Sequence, residues 1–523
     1  MRRNTLLSIS ALLLSTQLSF VTAQAKQTEN LHPIVQNFVN EAQNYSQLES
    51  MAHDFLDGIG PRLIGTPEML AANNWTAEKM KSWGIDAELQ QFGTWKGWQR
   101  GITHVDMVYP RVKSLVATQL AWSPATKKAV EAEVAILPKV SSKAAFDQWL
   151  PSAKGKVILM AQYQKMGRSD EQIKEFATPE LLEKLKSEKE QASKDFKEYI
   201  KNIGYDNTTL PEALEKAGAA GIAISNWTGI MGANRIFGAK TKKIPMFDLE
   251  LEDYGMLYRM AESGMKPRIQ LEIQSKTLPD SPSFNTIGII KGKEKPNEYV
   301  ILSAHLDSWD GAQGATDNGT GVLTMLETIR ILKKYYPNNK RTIIVGLWAS
   351  EEQGLNGSRA FVADHPEIMK GVQAVFNQDN GTGRIIDISG QGFVDSYKYI
   401  GKWLNAAPKN IKDQVKSTFP GSPGGGGSDH ASFVAAGLPG FSLSALNWGY
   451  FGYTWHTTKD TFDKIVFDEV KNNVILTATL AYMASEDPEF TSREKRVMPE
   501  NDKGEVAKWP EQKEPTRTSK DYK

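Results

Sequence analysis

Three short apolar runs in the second half of the chain are each followed within a few residues by acidic or imidazole side chains. The runs lie at residues 299–302, 343–345 and 372–376, and short apolar runs bounded by polar residues are typical of buried strands. Between the first two, residues 320–336 place apolar side chains on one helical face, and Pro337 ends the predicted helix. This alternation predicts an α/β fold with a mostly parallel central sheet flanked by helices.

Helical and extended patterns also alternate in the first part of the chain. Residues 48–56 and 69–83 have the spacing of amphipathic helices, and Gly84 ends the second one. Residues 87–92 follow as a predicted strand. We therefore predict that residues 26–115 form the N-terminal part of the main α/β domain.

The pattern changes near residue 116 to short apolar runs separated by turn residues. Such runs lie at residues 134–137 and 156–160. In residues 179–202, Lys and Glu alternate at helical i,i+4 spacing, which we interpret as a solvated helix rather than a binding surface. We predict a small β-rich inserted domain at residues 116–282, after which the main domain resumes at residues 283–487.

Length and composition are those of a soluble protein with more than one domain. At 523 residues the chain is too long for one ordinary core. Its 62 Lys and Arg residues balance 61 Asp and Glu residues, so no bulk charge favours binding to nucleic acid or to an anionic membrane. The chain has no Cys, which excludes disulfides and lipid attachment through cysteine. Binding specificity must therefore come from local geometry.

The first 25 residues have the pattern of a secretory signal peptide. An Arg pair at positions 2 and 3 precedes the apolar stretch 6–14, and residues 23–25 (AQA) offer a cleavage site. The apolar stretch is shorter than the roughly 20 residues of a membrane-spanning helix, which favours a cleaved signal over the alternative of a membrane anchor. We therefore expect a periplasmic or extracellular protein with no stable membrane span in the mature chain. The sequence leaves open the Sec or the twin-arginine route.

Seven side chains able to bind metal or transfer protons follow the predicted strands in a fixed order. Side chains at the carboxyl ends of neighbouring parallel strands converge on one crevice. We therefore expect one site formed by His305, Asp307, Asp317, Glu351, Glu352, Asp379 and His456. Imidazoles and carboxylates without a thiolate suit two divalent metal ions that share a carboxylate.

The spacing of these residues indicates separate roles. The i,i+2 spacing of His305 and Asp307 on an extended segment puts both side chains on one face, so Asp307 can accept the second ring N–H of His305. Glu351 and Glu352 leave the chain in different directions, so one can bind metal while the other acts as a general base. Asp317 lies in a Gly- and Thr-rich loop before a helix, where a carboxylate is free to bridge. Taken alone, the Glu pair could also be only the acidic start of a helix.

The order of the motifs resembles peptidase family M28, a family of co-catalytic zinc exopeptidases. The matching strings fall within residues 285–485 and are 303–308 (SAHLDS), 314–321 (GATDNGTG), 350–358 (SEEQGLNGS), 377–379 (NQD), 427–430 (GSDH) and 455–461 (WHTTKDT). Within the family the chain looks most like the plasma glutamate carboxypeptidase (carboxypeptidase Q) branch and related bacterial aminopeptidases. The helix-to-strand junction at residues 213–224 resembles the protease-associated domain often inserted in exported peptidases.

The resemblance implies a role for each residue of the predicted site. It implies that one zinc is held by His305 and Asp379, that the other is held by Glu352 and His456, and that Asp317 bridges the two. Glu351 would then be the general base, and Asp307 would orient His305. The bond between Asp317 and Asn318 matches the place where the family has a cis peptide.

Residues expected to contact substrate follow the last predicted strands. The glycine-rich residues 424–427 lack the Gly-Lys-Ser/Thr ending of a phosphate loop, so we expect them to shape the substrate entrance. Ser428 and His430 are candidate substrate-binding residues, with loop bracing as the alternative for His430. Tyr453 lies in an aromatic cluster before His456, where it could line a subsite or donate a proton to an oxyanion.

We expect an exported enzyme with two Zn²⁺ per chain that cleaves peptides or dipeptides near a chain end, as an aminopeptidase or dipeptidase. The alternatives are a carboxypeptidase of the same family, a glutaminyl-cyclase-like acyltransferase with one zinc, and a non-catalytic receptor-like protein. The complete ligand set and the Glu pair favour hydrolysis. We expect no nucleic-acid partner, and a homodimer is left open. Residues 488–523 form a charged C-terminal tail that we expect to be disordered or loosely draped.

Overall fold

The computed structural model describes residues 31–500 and 504–522, so the predicted signal peptide lies outside the described residues. The strands are β1 (Asp86–Tyr109), β2 (Lys113–Ser114), β3 (Ala117–Gln119), β4 (Val130–Ile136), β5 (Val157–Leu159), β6 (Gly221–Ile224), β7 (Met246–Leu249), β8 (Arg268–Ile290), β9 (Lys295–His305), β10 (Arg341–Trp348), β11 (Val372–Asn377), β12 (Ile385–Ser389), β13 (Lys416–Thr418) and β14 (Gly440–Ala445).

Helices precede, separate and follow these strands along the chain. They are α1 (Pro33–Asn44), α2 (Leu48–Ala52), α3 (Pro67–Ser82), α4 (Lys143–Trp149), α5 (Asp170–Phe176), α6 (Pro179–Asn202), α7 (Thr209–Lys216), α8 (Leu251–Glu262), α9 (Thr320–Tyr335), α10 (Asn356–Asp364), α11 (Pro366–Lys370), α12 (Ser396–Asn405), α13 (Lys409–Lys412), α14 (His430–Ala435) and α15 (Phe467–Glu486). Short helical turns, either wide (π-helical) or tight (3₁₀-helical), lie at His53–Ile59, Leu150–Ala153, Ala315–Gly319, Tyr450–Thr454 and Phe462–Lys464.

The described strands form one large sheet, and its middle is parallel. Strands β14, β11, β9 and β10 are adjacent in this order and run parallel to one another. The three apolar runs of the sequence lie in β9, β10 and β11, and the helix predicted at residues 320–336 is α9. The predicted α/β fold, with a central sheet flanked by helices, is therefore confirmed.

Two long antiparallel strands extend this sheet away from its parallel middle. Strand β1 has 24 residues and β8 has 23, and they pair along almost their whole length. One end of β8 pairs with β10 and the other end pairs with β4. The strands of the predicted insert, β4 to β7, therefore continue the same sheet, although they pack around hydrophobic clusters of their own. The predicted domain boundaries stay predictions.

The main core lies between the parallel strands and the helices α9 and α15. Every residue of α9 from Thr320 to Leu332 is buried, including the predicted apolar face. The same cluster of buried side chains contains residues of β9, β10, β11 and α15. A helix buried on all sides is held by packing, which fixes the loop that precedes α9 against the ends of the strands.

The C-terminal tail is attached more closely than the sequence predicts. Its described residues form no helix or long strand, but they make specific contacts. The Trp509 indole donates a hydrogen bond to the carbonyl of Val434, and the Arg517 guanidinium pairs with Asp364. Individual aromatic and charged anchors hold this segment, and a low average hydropathy does not reveal them.

In the part of the chain that is described, no helix combines the length and the apolar character needed to cross a bilayer.

Candidate metal centre

The ends of three neighbouring parallel strands supply four residues of the predicted site. His305 is the last residue of β9, and Asp379 follows two residues after the end of β11. Glu351 and Glu352 follow β10 in a turn. Because β11, β9 and β10 are adjacent and parallel, their carboxyl ends bring these four side chains to one edge of the sheet.

Two loops supply the remaining ligand candidates. Asp317 lies in the wide turn Ala315–Gly319, and its peptide bond to Asn318 is cis, as the family resemblance predicts. His456 follows the turn Tyr450–Thr454 and has a left-handed backbone with φ of 60°. Both loops face the strand ends, so all five predicted metal ligands lie together.

Asp317 lies between two groups of possible ligands. Its Oδ1 is 3.3 Å from Nε2 of His305, which is 3.2 Å from Oδ1 of Asp379. Its Oδ2 is 3.1 Å from Nε2 of His456, which is 2.9 Å from Oε2 of Glu352. Within each group of three residues the possible ligand atoms lie within 4.8 Å of one another. The arrangement is that of two adjacent cation sites with one shared carboxylate.

The residues present fit divalent metal ions. Oε1 of Glu352 and Oδ2 of Asp317 are buried and have no hydrogen-bond partner among the described residues. An unsatisfied buried carboxylate oxygen is unfavourable unless a cation or a donor faces it. Imidazole nitrogens and carboxylate oxygens are ligands that zinc accepts. The chemistry and the unpaired atoms therefore agree with a pair of metal ions.

The electrostatics of the centre also indicate that cations belong there. Burial, together with the charge of Asp317, raises the pKa of Glu352 to about 7. Burial acts to lower the pKa of His456, but the charges and hydrogen bonds of Glu352 and Asp317 together outweigh this effect and raise the pKa to about 10. Both shifts arise because several carboxylates are crowded in a buried space, and positive ions would relieve the repulsion.

Glu351 differs from its neighbour because it belongs to neither ligand group. Among the described residues, no side chain donates a hydrogen bond to its carboxylate, which leaves both oxygens available. Burial raises the pKa of Glu351 well above its ordinary value, and the charges of Asp379 and Glu352 add to this against the opposing effect of His305. A carboxylate with a raised pKa is suited to accept and return a proton.

The structure corrects the expected role of the Asp307 side chain. Nδ1 of His305 is 2.9 Å from the backbone carbonyl oxygen of Asp307, whereas the nearest carboxylate oxygen is 3.7 Å away and too distant for a hydrogen bond. The carboxylate instead accepts the backbone N–H groups of Glu351 and Glu352, at 3.1 and 3.3 Å. Asp307 therefore contacts His305 through its backbone and holds the Glu turn with its side chain.

Comparisons with known proteins agree with this geometry. Residues 285–481 match Peptidase family M28. The match includes all five predicted metal ligands. Carboxypeptidase Q of Homo sapiens is 28% identical over 451 residues, which cover 84% of this chain and 85% of that protein. Carboxypeptidase Q of Rattus norvegicus is 27% identical over 447 residues, with the same shares covered. The chain is therefore a metallopeptidase similar to family M28.

Solved structures share the fold over most of the chain. A peptidase M28 precursor from Shewanella amazonensis is 24% identical, with a TM-score of 0.63, and the match covers 88% of this chain and 98% of that one. A zinc aminopeptidase from Bacillus subtilis is 19% identical, with a TM-score of 0.55, and the match covers 86% and 97%. At these identities the likeness concerns the fold alone.

The three candidate substrate-binding residues differ in how deeply their side chains are buried in this protein. Ser428 is buried, and its hydroxyl accepts a hydrogen bond from Asn377 at 2.8 Å. His430 is buried with Nδ1 unpaired, and burial lowers its pKa to about 4. Tyr453 is partly exposed, with the ammonium of Lys464 5.8 Å from its ring centre. Ser428 therefore braces the end of β11, whereas Tyr453 is partly accessible to solvent.

Two buried charged residues, to which the sequence alone assigned no role, also stabilise the loops of the metal centre. The Asp460 carboxylate accepts the backbone N–H groups of Thr316 and Asp317, at 2.7 and 3.0 Å. The Arg62 guanidinium donates to the carbonyls of Leu306 and Gly314, at 2.7 and 2.8 Å. Asp460 lies within a matched motif, which was an available signal. Nothing in the local sequence distinguishes Arg62.

The predicted insert contributes one wall of the metal centre. The ring of Phe237 meets the His456 ring edge to face at 5.3 Å, and the N–H of Ile236 donates to the His456 carbonyl at 2.8 Å. Trp455 stacks on the other side of the imidazole at 3.9 Å. The insert therefore fixes a metal-ligand candidate and places an aromatic side chain beside the site.

Proposed function

We propose that this protein is a zinc exopeptidase that uses two metal ions to hydrolyse peptide bonds near a chain end. The observation that carries the proposal is the position of Asp317, whose two oxygens face His305 on one side and His456 on the other. Asp379 would complete the first zinc site and Glu352 the second. Bound zinc would polarise the scissile carbonyl and lower the pKa of the attacking water.

Glu351 would carry the proton through the reaction. Its carboxylate accepts one proton as the oxygen of water forms a bond to the carbonyl carbon. The same carboxyl then gives that proton to the nitrogen of the leaving amine as the C–N bond breaks, so the residue ends in its starting state. The Asp307 carboxylate would keep the Glu turn in place for both transfers.

The names of the relatives support an exopeptidase but differ on the end of the substrate that is bound. The relative from Homo sapiens is named a carboxypeptidase, whereas the Bacillus subtilis structure is a zinc aminopeptidase. A glutaminyl-cyclase-like enzyme with one zinc is disfavoured because both ligand groups are complete in this chain. A non-catalytic scaffold is disfavoured because Glu351 is retained. We further propose export to the periplasm or the cell exterior, supported by the N-terminal pattern of the sequence.

Counting zinc and varying the ends of the substrate test the proposal together. The metal-free protein is titrated with zinc, and the bound metal is measured by mass spectrometry. We expect two zinc ions per chain in the natural protein and at most one in Asp317→Ala, with no change in the surface control Asp195→Ala. A set of short peptides with a free or blocked amino or carboxyl terminus is then assayed by chromatography of the products. One zinc per chain, or cleavage that ignores both termini, would overturn the proposal.

A further inference from the structure

The described C-terminal residues 504–522, here called the C-terminal strap, run past the turn that carries Glu351 and Glu352. The strap is first held at Trp509, whose ring packs against Phe393 at 5.3 Å. Further along, the N–H of Thr516 donates to Oδ1 of Asn356 at 2.8 Å. The strap thus reaches the catalytic turn from outside the main α/β domain.

Asn356 connects Thr516 to Ser350, the residue that precedes the Glu pair. Asn356 is fully buried, and its Nδ2 donates to Oγ of Ser350 at 3.1 Å and to the carbonyl of Gln353 at 3.2 Å. Its backbone N–H also donates to the Ser350 carbonyl at 3.0 Å. Thr516, Asn356 and Ser350 therefore form a relay of hydrogen bonds that ends one residue before Glu351.

The turn between residues 350 and 355 needs such support. Its first and last residues, Ser350 and Leu355, have left-handed backbones with φ of 60° and 59°. Residues with a Cβ adopt this conformation at a cost in free energy, and the surrounding structure must hold them there. The strap supplies one of the contacts that fix Asn356, the side chain that spans the turn.

Specific contacts fix the position of the strap on the rest of the protein. The carbonyl oxygen of Arg517 accepts the N–H of Thr94 at 2.8 Å, and a Cβ built on Gly93 would lie 2.1 Å from that oxygen. Only glycine allows this close approach of the two backbones. The Arg517 side chain pairs with Asp364 of α10 through two hydrogen bonds, at 2.7 and 3.0 Å. The bidentate ion pair and the backbone bond, both made by Arg517, fix the register of the neighbouring Thr516.

The end of the strap packs against the main core. The ring of Tyr522 packs on Trp95 at 5.4 Å and belongs to the partly buried shell of the main core. Burial raises the pKa of Tyr522, and the negative charge of Glu352 adds to this.

We propose that the C-terminal strap is a positioning element for proton transfer. The Thr516 N–H and the Asn356 amide hold the 350–355 turn in the conformation that directs Glu351 to the metal centre. This inference rests on the proposed role of Glu351 as the base. It assigns a function to a segment that contributes no ligand and no reacting group.

A pair of substitutions at one position tests the strap in the full-length, zinc-loaded enzyme. Thr516→Pro removes the donated N–H, and Thr516→Ala keeps it. We expect kcat for a short peptide to fall about tenfold in Thr516→Pro, the effect of one lost buried hydrogen bond, and to stay within about twofold in Thr516→Ala. The KM and the zinc content stay unchanged in both. Such a split between kcat and KM would not follow from general loosening of the fold.

Asn356→Ala tests the same relay from the other side and serves if Thr516→Pro does not fold. We expect a similar fall in kcat, and in the double variant Asn356→Ala with Thr516→Pro we expect no further fall, because both remove one pathway. An unchanged kcat in the single variants, an equal loss in Thr516→Ala, or a rise in kcat would overturn the proposal. The proposed function fails by a different result, namely no peptide cleavage by the zinc-loaded natural protein.

Discussion

The backbone N–H of Glu351 donates a hydrogen bond of 3.1 Å to the carboxylate of Asp307. The carbonyl of Asp307 is at the same time 2.9 Å from Nδ1 of His305. Asp307, two residues after the end of β9, therefore sets both the orientation of a metal-ligand candidate and the position of the candidate base. The two functions use different atoms of Asp307, so substitution can separate them.

Asp307→Asn is expected to lower kcat by about 10- to 100-fold and to leave zinc binding nearly unchanged. The carbonyl that faces His305 is retained, but the charge that accepts the N–H groups of Glu351 and Glu352 is lost, and hydrogen bonds to a charged group contribute roughly 1.5–3 kcal/mol. Steady-state kinetics and zinc content provide the measurement, with Asp195→Asn as the surface control. If zinc is lost before activity, the side chain orients His305 after all.

Glu351→Gln is expected to retain zinc and fold but to lose about 10²- to 10⁴-fold in kcat, the range typical of a missing general base. The amide cannot accept the proton of the attacking water. Glu352→Gln is the matched variant on the neighbouring residue, and it is expected to reduce zinc binding because Glu352 belongs to a ligand group. Near-normal turnover by Glu351→Gln would remove this residue from the mechanism.

Asp460→Asn is expected to weaken zinc binding by about 10- to 100-fold, as is common when a residue that orients a ligand is changed. The carboxylate of Asp460 accepts the N–H groups of Thr316 and Asp317, so it sets the direction of the shared ligand. Competition with a chelator measures the affinity. Unchanged affinity would show that the wide turn holds Asp317 without this carboxylate.

His430 is expected to make the protein less stable in acid. Burial lowers its folded-state pKa from 6.5 to about 4, so between these values the unfolded chain binds a proton that the folded protein does not. Above pH 6.5 both states are neutral at His430, and the free energy of unfolding is unaffected by this residue. As the pH falls toward 4, protonation of the unfolded chain lowers the free energy of unfolding by up to roughly 3 kcal/mol. Urea unfolding from pH 4 to pH 8 should show a shallower pH dependence in His430→Gln than in the natural protein. Parallel curves would contradict the prediction.

The hydrophobic pattern was sufficient for the elements that surround the site. The runs before His305, Glu351 and Asp379 lie in adjacent strands, and the face of α9 is buried as its spacing predicts. Strand period and helix period are local properties, so a single sequence reveals them. The long pair of β1 and β8 was not predicted, because pairing between residues 159 to 203 positions apart leaves no local pattern.

Contacts between distant parts of the chain explain what the sequence did not predict. The Arg62 guanidinium binds carbonyl groups around residues 306 and 314, which are more than 240 positions away. Thr516 reaches Asn356 across 160 positions, although the composition of the tail is that of a loose segment. Such contacts depend on the packed fold and on single anchors such as Trp509.

The sequence by itself determined the α/β architecture, the resemblance to family M28 and the set of side chains that meet at the strand ends, because periodicity and motif spacing encode them. Only the tertiary structure decided that Asp317 faces both imidazoles, that the Asp307 carboxylate holds the Glu turn, and that the insert and the C-terminal strap contact the site. The reason is physical: distances between side chains and the direction of a carboxylate follow from how loops close on a packed core, and no local pattern records that closure.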